Sequence, residues 1–148
     1  MIAAGLIAYS FGFCVLASAS PEFQRPDWSA VAEHLGEPQR PRAMVTWSLG
    51  EAPLRYYLST GAIQLKPSEG FGWLVHEVDF VAEGPMPPPQ WLLGPGFHEV
   101  AYEDTGRLFI RRYRLLGPEL VPLRLKALRS AQLGWRNNGV LLDGVGPG

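Results

Sequence analysis

Residues 2–20, IAAGLIAYSFGFCVLASAS, carry no charged side chain. At a helical rise of about 1.5 Å per residue, such a run comes close to the roughly 30 Å of a bilayer core. A run of this kind has few options: it spans a membrane, it is removed as a signal, or it is buried inside a protein. It ends in Ala17-Ser18-Ala19, the small-residue pattern of a signal-peptidase site, but no Lys or Arg precedes Ile2, as a secretory signal would normally require. The expectation is therefore a transmembrane helix over residues 1–20, with a signal peptide as the alternative, followed by a tether over 21–26. Arg25, Arg40 and Arg42 follow the run, and the positive-inside rule applied to this chain alone would put them in the cytoplasm.

The remaining residues suffice for one small domain with a core of its own. Five Trp and an apolar fraction of 47% against 18% charged residues argue against disorder. The net charge of −1 conceals a polarity along the chain: residues 1–104 carry five Lys/Arg against twelve Asp/Glu, and residues 105–148 eight against two. The basic C-terminal part is the natural face for an anionic partner, with Arg124, Lys126 and Arg129 as candidate contacts to anionic membrane lipid. Cys14 is the one cysteine, so no intrachain disulfide, CxxC motif or zinc knuckle exists.

Beyond Pro21 helix and strand signals alternate, predicting an α/β domain over residues 27–143, a two-layer or three-layer mixed sheet with short helices, and a frayed tail over 144–148. Asp27 is placed to cap a helix whose Trp28, Val31, Ala32 and Leu35 fall on one face, with Gly36 at its stop. Residues 43–48 read as a buried strand. Gly50-Glu51 then open a helix with Pro53 near its start, which ends near Gly61, and residues 62–65 read as a further strand, a βαβ-like unit. Residues 73–82 form a strong strand, and the Pro-rich residues 83–89 a stiff loop. Residues 97–102 and 108–115 flank Glu103-Asp104-Thr105-Gly106 as a hairpin. A basic helix is expected within 118–133, and residues 140–142 are a last strand after the Asn137-Asn138-Gly139 turn.

Chemistry-bearing motifs are few. His34, His76 and His98 lack metal-ligand spacing and read as structural or surface histidines; there is no GxSxG; Gly70-Phe71-Gly72 and Gly94-Pro95-Gly96 are turns rather than a dinucleotide fingerprint. Glu77 and Asp79 share one strand face, as do Arg112 and Arg114. The first pair reads as an exposed polar face, the second as a charge-protected edge strand or a phosphate contact. No residue is assigned a catalytic or metal-binding role, and neither a cofactor nor a nucleic-acid partner is expected.

The order of features, an apolar helix, "RPDW" with its amphipathic helix, a Pro/Arg linker, "AMVTWSLGEAPLRYYL", "WLVHEVDFV", a Pro-rich loop, "GFHEV" and "LFIRRYR", resembles the C-terminal end of bacterial family 39-like glycosyltransferases. These are polytopic membrane enzymes of the GT-C class, related to the protein mannosyltransferases. The resemblance runs from the first helix to about Leu115. It implies a fragment or free-standing relative of a small extracytoplasmic domain that follows the last membrane helix. The whole enzyme would use a polyprenyl-phosphate-linked sugar and an acceptor glycan or protein, in company with its membrane portion. The family's acidic catalytic loop is not matched in this chain, so the implied role is structural or acceptor-binding. Ligands of open α/β sheets sit beyond the carboxyl ends of the strands. That rule points to Ser48, Glu51, Tyr56 and Tyr57 as candidate ligand contacts.

Overall fold

The computed structural model describes residues 10–12, 14–16, 26–58, 62–64, 73–84, 90–130 and 138–144. Residues 10–12 and 14–16 are helical, with Phe11, Val15 and Leu16 exposed. Among the described residues no helix is long and apolar enough to cross a membrane. Most of the expected transmembrane segment 1–20 and the tether 21–26 lie outside the described residues, as does the tail beyond Gly144.

From residue 26 onward the chain builds a mixed sheet in the middle of three layers. Its first helix, α1 (Trp28–Leu35), starts where Asp27 accepts a hydrogen bond from the Ala30 N–H at 3.0 Å and stops at Gly36, whose φ of 60° suits glycine. Strand β1 (Arg42–Trp47) leads to α2 (Glu51–Tyr57), then to β2 (Ile63–Gln64), β3 (Leu74–Val75) and β4 (Glu77–Glu83). A short helix α3 (Gln90–Leu93) precedes the hairpin β5 (Phe97–Asp104) and β6 (Leu108–Leu115), and β7 (Val121–Pro122), α4 (Leu125–Ser130) and β8 (Asn138–Asp143) complete the order. The six-stranded sheet runs β2-β8-β1-β4-β6-β5, with β1 and β4 parallel and the other neighbours antiparallel, while β3 and β7 form a separate two-stranded ribbon.

Both faces of the sheet are covered. One apolar cluster joins Val31, Leu35, Leu54 and Leu58 of the α1–α2 layer to Met44, Val81, Ile110 and Leu141 of the strands. The other joins Leu92, Leu93 and Leu128 of α3 and α4, with Val75 of the ribbon, to Val45, Phe80, Tyr113 and Leu142. That two-sided burial explains why β1, β4 and β8 read as near-continuous apolar runs rather than alternating ones.

Several expected elements shift. The 73–82 strand is two strands broken at His76, where the chain leaves the β3–β7 ribbon for the main sheet. The βαβ-like unit is split: β2 runs parallel to β1, but β8 lies between them. The expected basic helix 118–133 starts only at Leu125, because residues 121–122 pair with β3 instead; residues 131–133 lie outside the described residues. The hairpin forms, with its first strand extended through Glu103 and Asp104 and a turn in which the N–H of Gly106, at φ 91°, donates to Asp104 Oδ1 at 2.7 Å.

Candidate functional site

The register brings together charged residues that are far apart in the sequence. Arg42 opens β1, Glu77 and Asp79 open β4, Arg112 and Arg114 lie late on β6, and Asp143 ends β8. Arg42 is paired across the sheet with Glu77 on one side and Asp143 on the other, and Arg112 and Arg114 stand opposite Asp79 and Glu77. All of these side chains fall on the α1 side of the sheet, at the amino end of the two parallel strands.

Arg42 is 1% exposed. Its guanidinium donates to the carbonyl oxygens of Leu35 at 2.7 Å and Gly36 at 2.9 Å, and to Asp143 Oδ2 at 2.6 Å. It thereby satisfies the open carbonyls at the end of α1, a role that the planar fork of arginine suits. Arg112 Nε donates to Asp79 Oδ1 at 2.9 Å, and its Nη2 reaches the Leu35 carbonyl at 3.1 Å. Arg114 gives both Nε and Nη2 to one oxygen, Glu77 Oε2, at 2.9 and 2.5 Å. Two expectations are corrected here. Glu77 and Asp79 are buried rather than an exposed polar face, at 7% and 0% exposure, and β6 is an interior strand rather than a charge-protected edge.

Asp79 is the member of this network that resists its charge. Burial raises it most, and the Glu77 carboxylate adds to the effect. The nearby Arg112 and Arg42 offset part of this, leaving Asp79 pushed up to about 7. Arg112 moves upward: burial works against its charge, but Asp79 and Glu77 outweigh that. A guanidinium does not release its proton in this range, so Asp79 is the partner that titrates.

Beside the network lies a cleft of about 810 Å³. It is lined by residues 37–40 of the α1–β1 connection, by Leu115 at the end of β6 with Leu116 and Pro118 beyond it, and by His76, Arg112 and Arg114. His76 Nδ1 lies 3.3 Å from the Glu119 carbonyl and its Nε2 lies 3.4 Å from Arg40 Nη1. These partners assign the ring hydrogen to Nδ1 and leave Nε2 as an acceptor for Arg40. Arg40 is exposed and makes no ion pair among the described residues. Leu116, 78% exposed, and Val100 add apolar surface to the same cleft. Cations with spare N–H donors beside apolar side chains suit an anionic group attached to an apolar body.

The residues singled out in the sequence lie elsewhere. Ser48 is exposed in the turn after β1. Glu51 begins α2 with its carboxylate against Gly139 of β8, and burial raises its proton affinity, opposed by a hydrogen bond with Gln64 and by Arg129 and Arg55. Tyr56 and Tyr57 lie at the far end of α2, exposed and edge-to-face with ring centroids 5.1 Å apart. None of these four lines the cleft. Arg124 is exposed beside Gly94, and Arg129 is half-buried on the Glu51 side; the Lys126 side chain lies outside the described residues. Among the described residues no group of three or more His, Cys, Asp or Glu is arranged to hold a metal ion.

Arg40, Arg42, His76 and Asp143 went unrecognised as site residues in the sequence. A faint signal was present. Arg42 and Asp143 each sit at the end of an apolar strand run, where a charge entering a core needs a partner. No protein-family model, curated protein or solved structure matches the chain.

Proposed function

We propose that this chain is a non-catalytic binding domain at a membrane surface, whose ligand enters the arginine-lined cleft by an anionic group. One observation carries the reading: Arg40 and Arg114 present guanidinium donors in a single cleft with His76, next to the exposed Leu116. The neighbouring carboxylates Glu77, Asp79 and Asp143 are already engaged by arginines, so their geometry supports a scaffold for those cations rather than an acid–base pair.

In this proposal residues 1–20 anchor the domain at the outer face of a cell membrane. The chain is the terminal domain, or a free-standing relative of it, of a family 39-like GT-C glycosyltransferase. The membrane portion of that enzyme would handle the polyprenyl-phosphate sugar, and this domain would bind an acceptor or a phosphate-bearing lipid without transferring sugar. Ser48, Glu51, Tyr56 and Tyr57 then have a packing or surface role.

The full chain in detergent, titrated with a short-chain isoprenyl phosphate, tests the binding. The double variant Arg40→Ala/Arg114→Ala should bind at least about tenfold more weakly, the loss expected when charge-assisted bonds worth ~1.5–3 kcal/mol are removed. Equal binding by the parent and the double variant would remove the cleft from the reading. Reading the coding DNA upstream of Met1 in frame separates its two forms. Further hydrophobic segments with an acidic early loop support the terminal domain of a transferase, and an upstream stop codon supports a free-standing, membrane-anchored or secreted module.

A further inference from the structure

The wall of the cleft is held in place by charges that converge on one carboxylate. Asp79 Oδ1 takes the Arg112 Nε hydrogen bond at 2.9 Å, while its Oδ2, fully buried, makes no hydrogen bond and faces Arg42 Nη1 at 3.6 Å. Both arginines reach from there to the Leu35 carbonyl at the end of α1, and residues 37–40, which continue from that point, line the cleft. A proton on Asp79 therefore alters the charge immediately behind the cleft and the anchor of its wall together.

The surroundings of Asp79 set the direction of the effect. Arg42 approaches from β1, Arg112 from β6 and Glu77 from its own strand, with Arg114 bonded to Glu77 and Asp143 of β8 bonded to Arg42. Glu103 of β5 acts on Arg112 and lies 4.0 Å from the His34 ring; α1 otherwise offers the carbonyls of His34 and Leu35 to Arg112. On the cleft side stand Arg40, His76 and the Glu37 side chain. Ionised Asp79 is thus stabilised by guanidinium groups that also face the cleft. An anion seated at Arg40 and Arg114 weakens the positive field at Asp79 and favours its neutral, protonated form.

We propose that the cleft takes up its anion together with one proton, and that the proton goes to the buried carboxylate of Asp79. The proposal rests on the reading of the cleft as an anion site and adds its regulation. The carboxylate gains H⁺ and becomes a neutral carboxylic acid, no other bond is made or broken, and the anion enters in the charge state it had in solution. Because Asp79 titrates near neutrality, the linkage falls at physiological pH. The sign follows: affinity is highest below about pH 7 and declines as the pH rises through the range in which Asp79 of the unoccupied cleft is ionised.

Inorganic sulfate is a suitable probe because it stays dianionic across this range. Titration calorimetry of the full chain with sulfate, in two buffers of different ionisation enthalpy at each pH, reads affinity and proton uptake together. The expected result is a Kd about tenfold weaker at pH 8.5 than at pH 6, the order given by two charges several ångströms apart inside a protein, with net proton uptake between. Asp79→Asn keeps an acceptor for Arg112 Nε and should hold the tight Kd at both pH values with no uptake. His76→Gln, which removes the imidazole from the cleft, should leave the pH dependence in place. Binding of sulfate with one Kd throughout and no proton uptake would overturn the linkage and leave the anion site standing. Loss of the pH dependence in His76→Gln but not in Asp79→Asn would place the proton on the histidine and overturn the proposal. No sulfate binding at any pH would overturn the linkage and the anion site together.

Discussion

The two ends of the sheet are built on opposite principles. At the amino end of β1 and β4, three arginines and three carboxylates neutralise one another next to an open cleft. At the carboxyl end of β1, Trp28 and Trp47 sit 5.1 Å apart, and Gly50 is wedged so tightly that a methyl group there would strike Trp28 and lie 2.6 Å from Thr46 Oγ1. A methyl group at Gly139 would come within 2.5 Å of the Glu51 carboxylate. Among the described residues, the end that open α/β sheets ordinarily use for ligands is tightly packed at Gly50 and Gly139, and the cleft lies at the opposite end. Strand direction is therefore a weaker guide than the question of which end the aromatic and glycine contacts leave room for.

Breaking the charged end should have the largest effect. Arg42→Ala removes the guanidinium donors to the Leu35 and Gly36 carbonyls and to buried Asp143 Oδ2, and denaturant unfolding should show a loss of ~3–5 kcal/mol. At the closed end Gly50→Ala needs no change of backbone conformation, since φ is −82°. It should still destabilise by about 1–3 kcal/mol through overpacking against Trp28; unchanged stability would show that this end has room after all.

Asp79→Asn sharpens the contrast through pH. The folded protein keeps a proton on Asp79 up to about 7, against an ordinary value of 3.8, so between those values it holds a proton that the unfolded chain has released. The stability contributed by this site therefore falls as the pH rises through that window. Relative to Asp79→Asn the parent should lose roughly 2 kcal/mol between pH 5 and pH 8, checked by parallel urea melts. The smallest effect on binding is expected at residues away from the cleft: Glu51→Ala combined with Tyr56→Phe should leave ligand binding unchanged. Tyr56→Phe alone should move stability by less than about 0.5 kcal/mol, as Tyr56 is 82% exposed.

Much of the fold was legible because local signals agreed with the tertiary structure. Asp27 and Gly36 bracket α1 as their cap chemistry requires, and the hairpin turn follows from Asp104 and Gly106. What was not legible depends on partners distant in sequence. Nothing near His76 announces that residues 74–75 pair with 121–122, and nothing near Val140 announces that β8 inserts between β1 and β2. The candidate site was missed for the same reason. Glu77 and Asp79 look like an exposed face until Arg42 from one neighbouring strand and Arg112 from the other are laid beside them. Alternation along a strand tells which residues share a face, and only the sheet order tells whether that face is covered. Tyr113 makes the same point on the other side of the sheet. Burial, with Glu99 2.8 Å from its hydroxyl, pushes its phenol up to about 12, an environment supplied by β5 rather than by its own strand.

The most direct test of the contrast between the two ends is a sulfate titration of the isotope-labelled full chain followed by backbone amide NMR at pH 6. An anion site in the arginine-lined cleft predicts saturable shifts confined to residues 36–42, 76–77 and 112–117, with residues 46–57 and 139 unmoved. Shifts centred on Glu51 and Gly139, or no saturable shift at either end, would contradict it.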